Sequence, residues 1–224
     1  MTAEKHPQNG CCICEEIGNH RFPEHLRGIY GLADRTCAET SDFIAFPTVS
    51  PLVKGHMLIF TKHHVPSLRK TSRKSIQSLQ ELATQIAARV SPEADHVFFF
   101  EHGVMADGKG SCGITHAHLH VLPLDPATIA SVIQETSTVF PPQHFGSLSS
   151  LLHSDLNDES PYLLFGQNIS ELKLSFATTI PSQFMRRIIA TKLGLGDWDW
   201  KKLTGINRFR ATHSTFLQDS AGIR

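Results

Sequence analysis

The sequence lacks both an excess of charge of one sign and a long apolar run. Its 224 residues include 21 Lys and Arg against 21 Asp and Glu, so no overall basic field exists to attract long nucleic acid. No stretch approaches the roughly 18 uninterrupted apolar residues that a membrane-spanning helix needs. We therefore expect neither long nucleic acid nor a membrane as a partner.

Cysteine is scarce and unevenly placed. Of five cysteines, Cys11, Cys12 and Cys14 lie within four positions. An odd number of cysteines in a chain of this size does not suggest a disulfide framework. The polar start over residues 1–9 also lacks the apolar segment of a secretory signal. We expect a cytoplasmic protein whose clustered cysteines serve metal or thiol chemistry.

Histidine, in contrast, is abundant, with fourteen residues. His116, His118 and His120 alternate with apolar residues, which predicts a strand with three imidazoles on one face. Such a row is costly for packing alone, because a histidine buried without partners loses hydration. A neutral imidazole is a good nucleophile near pH 7, and its neighbour can donate to phosphate oxygens. The row indicates phosphoryl substitution; the alternatives are a metal-binding wall or a strand with incidental histidines.

The surrounding pattern predicts an α+β fold. Short apolar runs over 43–46, 56–60, 97–100 and 116–122 predict strands, and the periodic stretch 76–90 predicts an amphipathic helix across one sheet face. A glycine-rich loop over 103–113 leads into the histidine strand. We expect a mainly antiparallel sheet of about five strands with one long helix.

The chain after residue 125 predicts an extension. We expect a catalytic domain at 1–125 and, packed on it, an extension at 126–224. The extension is predicted to be irregular to about residue 159, then to form a strand pair over 162–165 and 172–176 and a helix over 181–194. The tail beyond Arg210 is predicted to fray. Arg186 and Arg187 on the helix can clamp a second phosphate, although a solvated helix face explains them equally well.

The segment from His116 to Leu122 resembles the signature of the histidine triad (HIT) family of nucleotide hydrolases and transferases, in which three histidines alternate with apolar residues. The similarity covers about residues 11–123 and includes the strand, turn and second strand over 46–64. It implies a HIT-like fold, a nucleotide substrate and a homodimer formed by joining sheets.

The resemblance also implies roles for single residues. His118 would attack the α-phosphorus and His120 would contact the phosphate, with His116 as the third member of the catalytic row. The implied substrate contacts are Thr48, Val49, Glu101, Ser111, Cys112 and Gly113. The sequence departs from the family at Thr48, where an acid is common, at Glu101, where asparagine is common, and in the loop, where Gly-Gln-Ser or Gly-Gln-Thr is usual.

The expected function is hydrolysis of a nucleoside phosphoanhydride or phosphoramidate, of the dinucleoside polyphosphate or AMP-ester type, through a covalent nucleotidyl-His118. One alternative is a nucleotidyltransferase or phosphorylase that passes the nucleotidyl group to phosphate or a sugar phosphate. A second alternative is a nucleotide-binding module without turnover.

The clustered cysteines predict a metal site. Cys11 and Cys14 have the spacing of half a zinc site. Zinc-containing triad proteins and relatives of galactose-1-phosphate uridylyltransferase are similar here, and the resemblance implies that His64 and His116 complete a structural Zn²⁺ site. The alternative is a pair of buried thiols. If His116 binds metal, the leaving-group proton must come from elsewhere; the candidates are Ser111, Thr115, His102 and solvent.

Overall fold

The computed structural model describes residues 10–104, 114–153 and 160–220, with side chains described up to residue 217. Its strands are β1 (Ala38–Glu39), β2 (Phe43–Pro47), β3 (Met57–Thr61), β4 (Val97–Gly103), β5 (His118–Pro123), β6 (His144–Gly146), β7 (Tyr162–Gly166) and β8 (Leu172–Phe176). They form one sheet in the order β1-β2-β3-β5-β4-β7-β8-β6. All neighbouring strands are antiparallel.

The helices lie on both faces of this sheet. They are α1 (Cys12–Asn19), α2 (Glu24–Tyr30), α3 (Arg73–Val90), α4 (Pro126–Val139), α5 (Leu148–Leu152), α6 (Phe184–Lys192) and α7 (Ile206–Ser220). Short 3₁₀ helices span Leu68–Lys70, Ala94–His96 and Trp200–Lys202. Within the described ranges, no helix combines the length and the apolar character needed to cross a bilayer.

One face of the sheet carries the main core. Helix α3 begins after Ser72, whose hydroxyl accepts a hydrogen bond from the Ser75 backbone N–H at 3.1 Å. Its apolar stripe, which includes Leu79 and Ile86, packs against alternate strand residues such as Leu119 and Val121. The long amphipathic helix and the antiparallel α+β architecture predicted from the sequence are confirmed.

The other face of the sheet is covered in two separate places. At one end Ile13 and Ile17 of α1 pack on β2 and β3. At the other end α4 and α6 pack on β4 and β7. His118 and His120 lie on this face, because Leu119 belongs to the core of the opposite face and side chains alternate along a strand. The two covering layers therefore leave the histidines at the gap between them.

The expectation of about five strands was wrong, because the extension joins the same sheet. Strand β7 pairs with β4, with Glu101 opposite Leu164, and β8 and β6 follow. The predicted strand pair is thus present, but it continues the sheet of the preceding domain. The domain boundary at residue 125 stays a prediction.

Two further expectations for the extension were wrong. Over the described residues 126–153 the chain is not irregular, since it forms α4, β6 and α5. The Asp125 side chain accepts from the Thr128 backbone N–H at 2.9 Å and caps α4, with Pro126 in its first turn. Ile129 on this helix is fully buried. Over residues 211–220 the tail does not fray, because α7 continues to residue 220 and its Phe216 is buried.

Candidate active site

His118 and His120 lie on the central strand β5, and both are buried, with 5% and 6% of their surfaces exposed. The His118 ring stacks on Phe60 with centroids 4.8 Å apart, and the His120 ring stacks on Phe100 at 4.0 Å. Burial lowers the pKa of His118 to about 4 and, together with neighbouring positive charge, lowers the pKa of His120 well below its ordinary value. Both rings are therefore uncharged near neutral pH.

A backbone carbonyl fixes the tautomer of His118. Its Nδ1 lies 2.7 Å from the carbonyl oxygen of His116. A carbonyl only accepts hydrogen bonds, so Nδ1 carries the proton and Nε2 keeps its lone pair. His118 therefore presents an unprotonated, uncharged nitrogen, which is the form a nucleophile requires.

His120 is fixed in the opposite tautomer by a chain of hydrogen bonds. The Leu52 backbone N–H donates to Nδ1 of His56 at 3.4 Å, so the other nitrogen of His56 carries the proton. That Nε2 lies 2.9 Å from Nδ1 of His120, to which it donates. In a neutral His120 the remaining nitrogen, Nε2, then carries a proton. His120 is therefore a hydrogen-bond donor beside His118.

His116 turns toward the amino-terminal cysteines. Its Nε2 donates to the Thr61 carbonyl oxygen at 2.7 Å, which leaves Nδ1 as a lone-pair donor. This Nδ1 lies 3.6 Å from Sγ of both Cys11 and Cys14, and Nδ1 of His64 lies 3.3 Å from Sγ of Cys14. The four ligand atoms lie within 4.8 Å of one another. These residues could form a metal site.

The donor set fits a tetrahedral ion. Two thiols and two imidazoles are the ligands that zinc accepts in structural sites. The Thr61 carbonyl supplies the outer hydrogen bond that ligating histidines usually have. Cys12 lies on the exposed side of α1 and is outside the cluster.

A cleft of about 170 Å³ opens over His118 and His120. Its other described lining residues are Cys12, Ile13, Glu16, Pro23, His25, Leu26, Arg35, Thr48, Val49, Leu58, Phe60, Ile114, Arg186 and Trp200. A larger groove of about 670 Å³, lined in part by α3 and β8, contains no histidine or cysteine among its described residues. The smaller cleft is therefore the candidate active site.

The extension holds one wall of this cleft. Thr48 and Val49 begin the turn between β2 and β3, and the Tyr30 hydroxyl donates to the Val49 carbonyl. Farther along the turn, the Gly55 N–H donates to Oγ1 of Thr212 at 2.7 Å. Gly55 has φ +87°, and a Cβ there would lie 2.9 Å from the Pro123 ring. The turn is thus held by hydrogen bonds to α2 and α7, and its backbone conformation requires glycine at position 55.

The structure does not bring every expected residue to the cleft. Glu101 lies on the opposite face, where its carboxylate accepts from the Leu68 N–H at 2.8 Å and from the Tyr162 hydroxyl at 2.7 Å. Arg187 is exposed and its guanidinium lies 5.3 Å from the Trp198 ring. Neither Thr115 nor His102 is among the described lining residues. The loop of Ser111, Cys112 and Gly113 falls outside the described residues.

The opposite position of Glu101 leads to a prediction about stability. Burial raises the pKa of Glu101 from 4.5 to about 7, so between these values the unfolded chain loses this proton and the folded chain keeps it. The wild type should therefore lose stability as pH rises from about 4.5 to about 7, by up to about 3 kcal/mol from this residue. The free energy of unfolding, measured in urea at pH 4.5, 6 and 7.5, should not show this loss in the Glu101→Gln variant. Parallel pH profiles for Glu101→Gln and wild type would contradict the prediction. The control is Glu93→Gln, at an exposed site.

Sequence reasoning missed several lining residues. His25 and Trp200 carry no local motif and come from α2 and from the extension. Arg35 also lines the cleft, and both oxygens of Glu16 accept from it, at 2.7 and 2.8 Å. No local pattern in the sequence indicated the hydrogen bond between His56 and His120.

Comparison with known proteins identifies one domain of the chain. Residues 33–127 match the family model of the HIT domain. This part of the chain is a HIT domain. The match includes β1 to β5, His56, His64 and the three alternating histidines, whereas α1, α2 and most of the extension lie outside it.

Known relatives match the HIT domain over a limited length. The adenosine 5'-monophosphoramidase hnt1 of Schizosaccharomyces pombe is 28% identical over 86 residues, covering 38% of this chain and 61% of that protein. An uncharacterized HIT-like protein of Mycobacterium tuberculosis is 30% identical over 88 residues, covering 38% and 58%. The chain thus spans about three fifths of the first curated relatives it matches.

Solved structures of histidine triad proteins are also similar. A zinc-bound family member from Mycobacterium smegmatis has 18% identity and a TM-score of 0.39, covering 52% of this chain and 76% of that one. A HIT family protein from Bacillus anthracis has 20% identity and a TM-score of 0.40, covering 52% and 74%.

Proposed function

We propose that this protein hydrolyses a nucleoside phosphoanhydride or phosphoramidate, of the dinucleoside polyphosphate or AMP-ester type, through a covalent nucleotidyl-His118. The observation that carries the proposal is the pair of opposite tautomers on one strand. His118 offers an unprotonated Nε2, and the neutral His120 beside it offers an N–H. A nucleophile and an oxyanion donor thus line the same cleft.

The reaction takes two displacements. The lone pair of His118 Nε2 forms a P–N bond to the α-phosphorus, and the bond from phosphorus to the leaving group breaks with its electron pair on the leaving group, which takes up a proton. The Nδ1–H of His118 stays hydrogen-bonded to the His116 carbonyl and stabilises the positive ring. Water then attacks phosphorus, the P–N bond breaks, and a proton is released to solvent.

His120 and its partner act on the phosphate oxygens during both displacements. The N–H of His120 meets the charge that develops on a non-bridging oxygen, a contact of a kind worth about 3 to 4 kcal/mol. His56 donates to the other nitrogen of His120 and keeps its ring oriented. We therefore assign His118 as nucleophile, His120 as donor and His56 as a positioning residue.

We propose zinc as the metal of the Cys11, Cys14, His64 and His116 cluster. When bound, it would supply a structural link between α1 and the strand that carries the nucleophile. His116 then serves as a ligand and as the carbonyl partner of His118, and it does not act as an acid. The chemistry of the donor set supports this choice over Mg²⁺ or Ca²⁺, which prefer oxygen ligands.

The nucleotide contacts proposed in the HIT domain are Thr48 and Val49, which line the cleft. Thr48 stands where the family commonly has an acid, so its hydroxyl would take over the ribose contact. A relative named as an adenosine 5'-monophosphoramidase supports a phosphoramidate among the substrates.

A product assay tests the proposed function. The protein is incubated with diadenosine tetraphosphate, adenosine 5'-phosphoramidate and ADP-glucose, each with and without inorganic phosphate, and the products are separated by anion exchange. We expect AMP whose rate of formation does not depend on phosphate. ADP formed from ADP-glucose only in the presence of phosphate would indicate a phosphorylase. Nucleotide binding without any product would indicate a nucleotide-binding module without turnover. Either result contradicts the proposal.

The homodimer and the cytoplasmic location implied earlier stay predictions. Strand β4 is already paired on both sides, by β5 and β7, so a dimer formed by joining sheets would have to use β1 or β6 among the described strands. Sedimentation equilibrium measures the oligomeric state.

A further inference from the structure

The extension contributes a buried arginine to the candidate active site. Arg186 lies on α6, and only 5% of its surface is exposed. It lines the cleft together with His118 and His120. The helix is held in place by its neighbours Met185, Ile188 and Ile189, which are buried in the core between α4 and the sheet.

Two carbonyl oxygens orient this guanidinium. Its Nε donates to the Trp198 carbonyl at 2.9 Å, and one Nη donates to the Ser50 carbonyl at 2.7 Å. Carbonyl acceptors fix the direction of a guanidinium without removing its charge. Ser50 belongs to the turn that carries Thr48 and Val49, so the arginine is attached to the proposed nucleotide-binding wall.

The charge of Arg186 acts on the His120 side of the row. It contributes to the lowered pKa of both His56 and His120, after the larger effect of burial. The cysteine cluster lies on the other side, at His116. A phosphate bound at His118 and His120 would therefore lie between the cysteine cluster and the positive charge of Arg186.

The described lining contains one other arginine, Arg35. Both oxygens of Glu16 accept hydrogen bonds from it, at 2.7 and 2.8 Å. The carbonyl partners of Arg186 described above carry no formal charge, and a guanidinium can bond phosphate oxygens through parallel N–H groups. Arg186 is therefore the arginine of this lining that we assign to a phosphate.

We infer that Arg186 binds a second phosphate group of the nucleotide, in addition to the phosphate that His118 attacks. This inference rests on the proposed function and names the nucleotides that the site should bind most tightly, those with two or more phosphates. The second phosphate belongs either to the 5'-chain or to the ribose. Arg187 does not share the role, because it is exposed and lies against Trp198.

Calorimetric titration of the His118→Ala protein tests this, because binding is then measured without turnover. The probes are AMP, ADP and adenosine 3',5'-bisphosphate. We expect one of the two-phosphate nucleotides to bind about 10- to 100-fold more tightly than AMP. Preference for ADP would identify the 5'-chain, and preference for the bisphosphate would identify the ribose.

Further substitutions in the His118→Ala protein test whether Arg186 causes the preference for two phosphates. Arg186→Gln should reduce the preference to less than about 3-fold, Arg186→Lys should retain part of it as a point charge, and Arg187→Gln should retain all of it. Thermal melting checks that each variant is folded. Equal weakening of AMP and the two-phosphate nucleotide by Arg186→Gln overturns the inference, and so does the absence of any preference in the protein with Arg186 intact. Either result leaves the product assay unaffected, so the two proposals fail separately.

Discussion

The His118→Ala variant should lose turnover of every nucleotide substrate by at least about 10⁴-fold, as removal of a covalent nucleophile does in other enzymes. The reason is that the proposed bond to phosphorus forms at Nε2 of this ring, whose other nitrogen donates to the His116 carbonyl. Phe60, which stacks on the ring, and the surrounding core remain. The loss should therefore fall on kcat, while the fold and nucleotide binding persist.

Turnover and binding are measured side by side for this variant. Initial rates of AMP release give kcat, and calorimetry gives the dissociation constant of AMP. The His144→Ala variant is the control, since His144 lies on the edge strand β6, away from the cleft. A His118→Ala protein with kcat within tenfold of wild type would contradict covalent catalysis by His118.

The Cys14→Ser variant should lose the proposed zinc ion and much of the stability of the protein. Cys14 is buried and lies within contact distance of both His64 and His116. Without a thiolate the site keeps three ligands, and the link between α1 and the histidine strand is weakened. We expect zinc content to fall from one ion per chain to near zero and the melting temperature to fall by about 10 °C.

The control for this prediction lies on the same helix. Cys12 is exposed and outside the cluster, so Cys12→Ser should keep the wild-type zinc content. Elemental analysis of protein purified without chelators measures the metal, and differential scanning calorimetry measures the melting temperature. Equal zinc in Cys14→Ser and wild type would show that the four residues are not the ligands.

The sequence was sufficient to predict the histidine row, because alternation along a strand is local. It was not sufficient to predict the partner of His120. His56 lies 64 positions away and reaches it only because β3 pairs with β5, with Leu58 opposite His120. Strand register depends on contacts between distant segments, and no spacing within the histidine strand indicates it.

The alternation of side chains along β4 explains why Glu101 does not line the cleft. Phe100 lies opposite His120 and shares its face, so Glu101 points to the other face. The resemblance to the family had implied a substrate contact for Glu101. The run of phenylalanines before it, apolar on both faces, gave no indication of which side faces the cleft.

The extension was the least predictable part of the fold. Arg186 and Arg187 are adjacent and chemically equal in the sequence, and only the packing of α6 separates a buried arginine in the cleft from an exposed one. The capped start of α4 at Asp125 and Pro126 was a visible signal that could have predicted that helix. The joining of β7 to β4 had no local signal, because pairing between distant strands is decided by the tertiary fold.

Direct detection of the nucleotidyl-enzyme tests whether His118 forms the proposed covalent intermediate. Protein is mixed with excess diadenosine tetraphosphate or adenosine 5'-phosphoramidate, quenched within one turnover in alkaline denaturant, which preserves P–N bonds, and analysed as peptides by mass spectrometry. We expect an adenylyl group on the peptide that contains His118, assigned to that ring by fragmentation and missing from His118→Ala. Product formation with no such adduct, or an adduct on another residue that persists in His118→Ala, would contradict it.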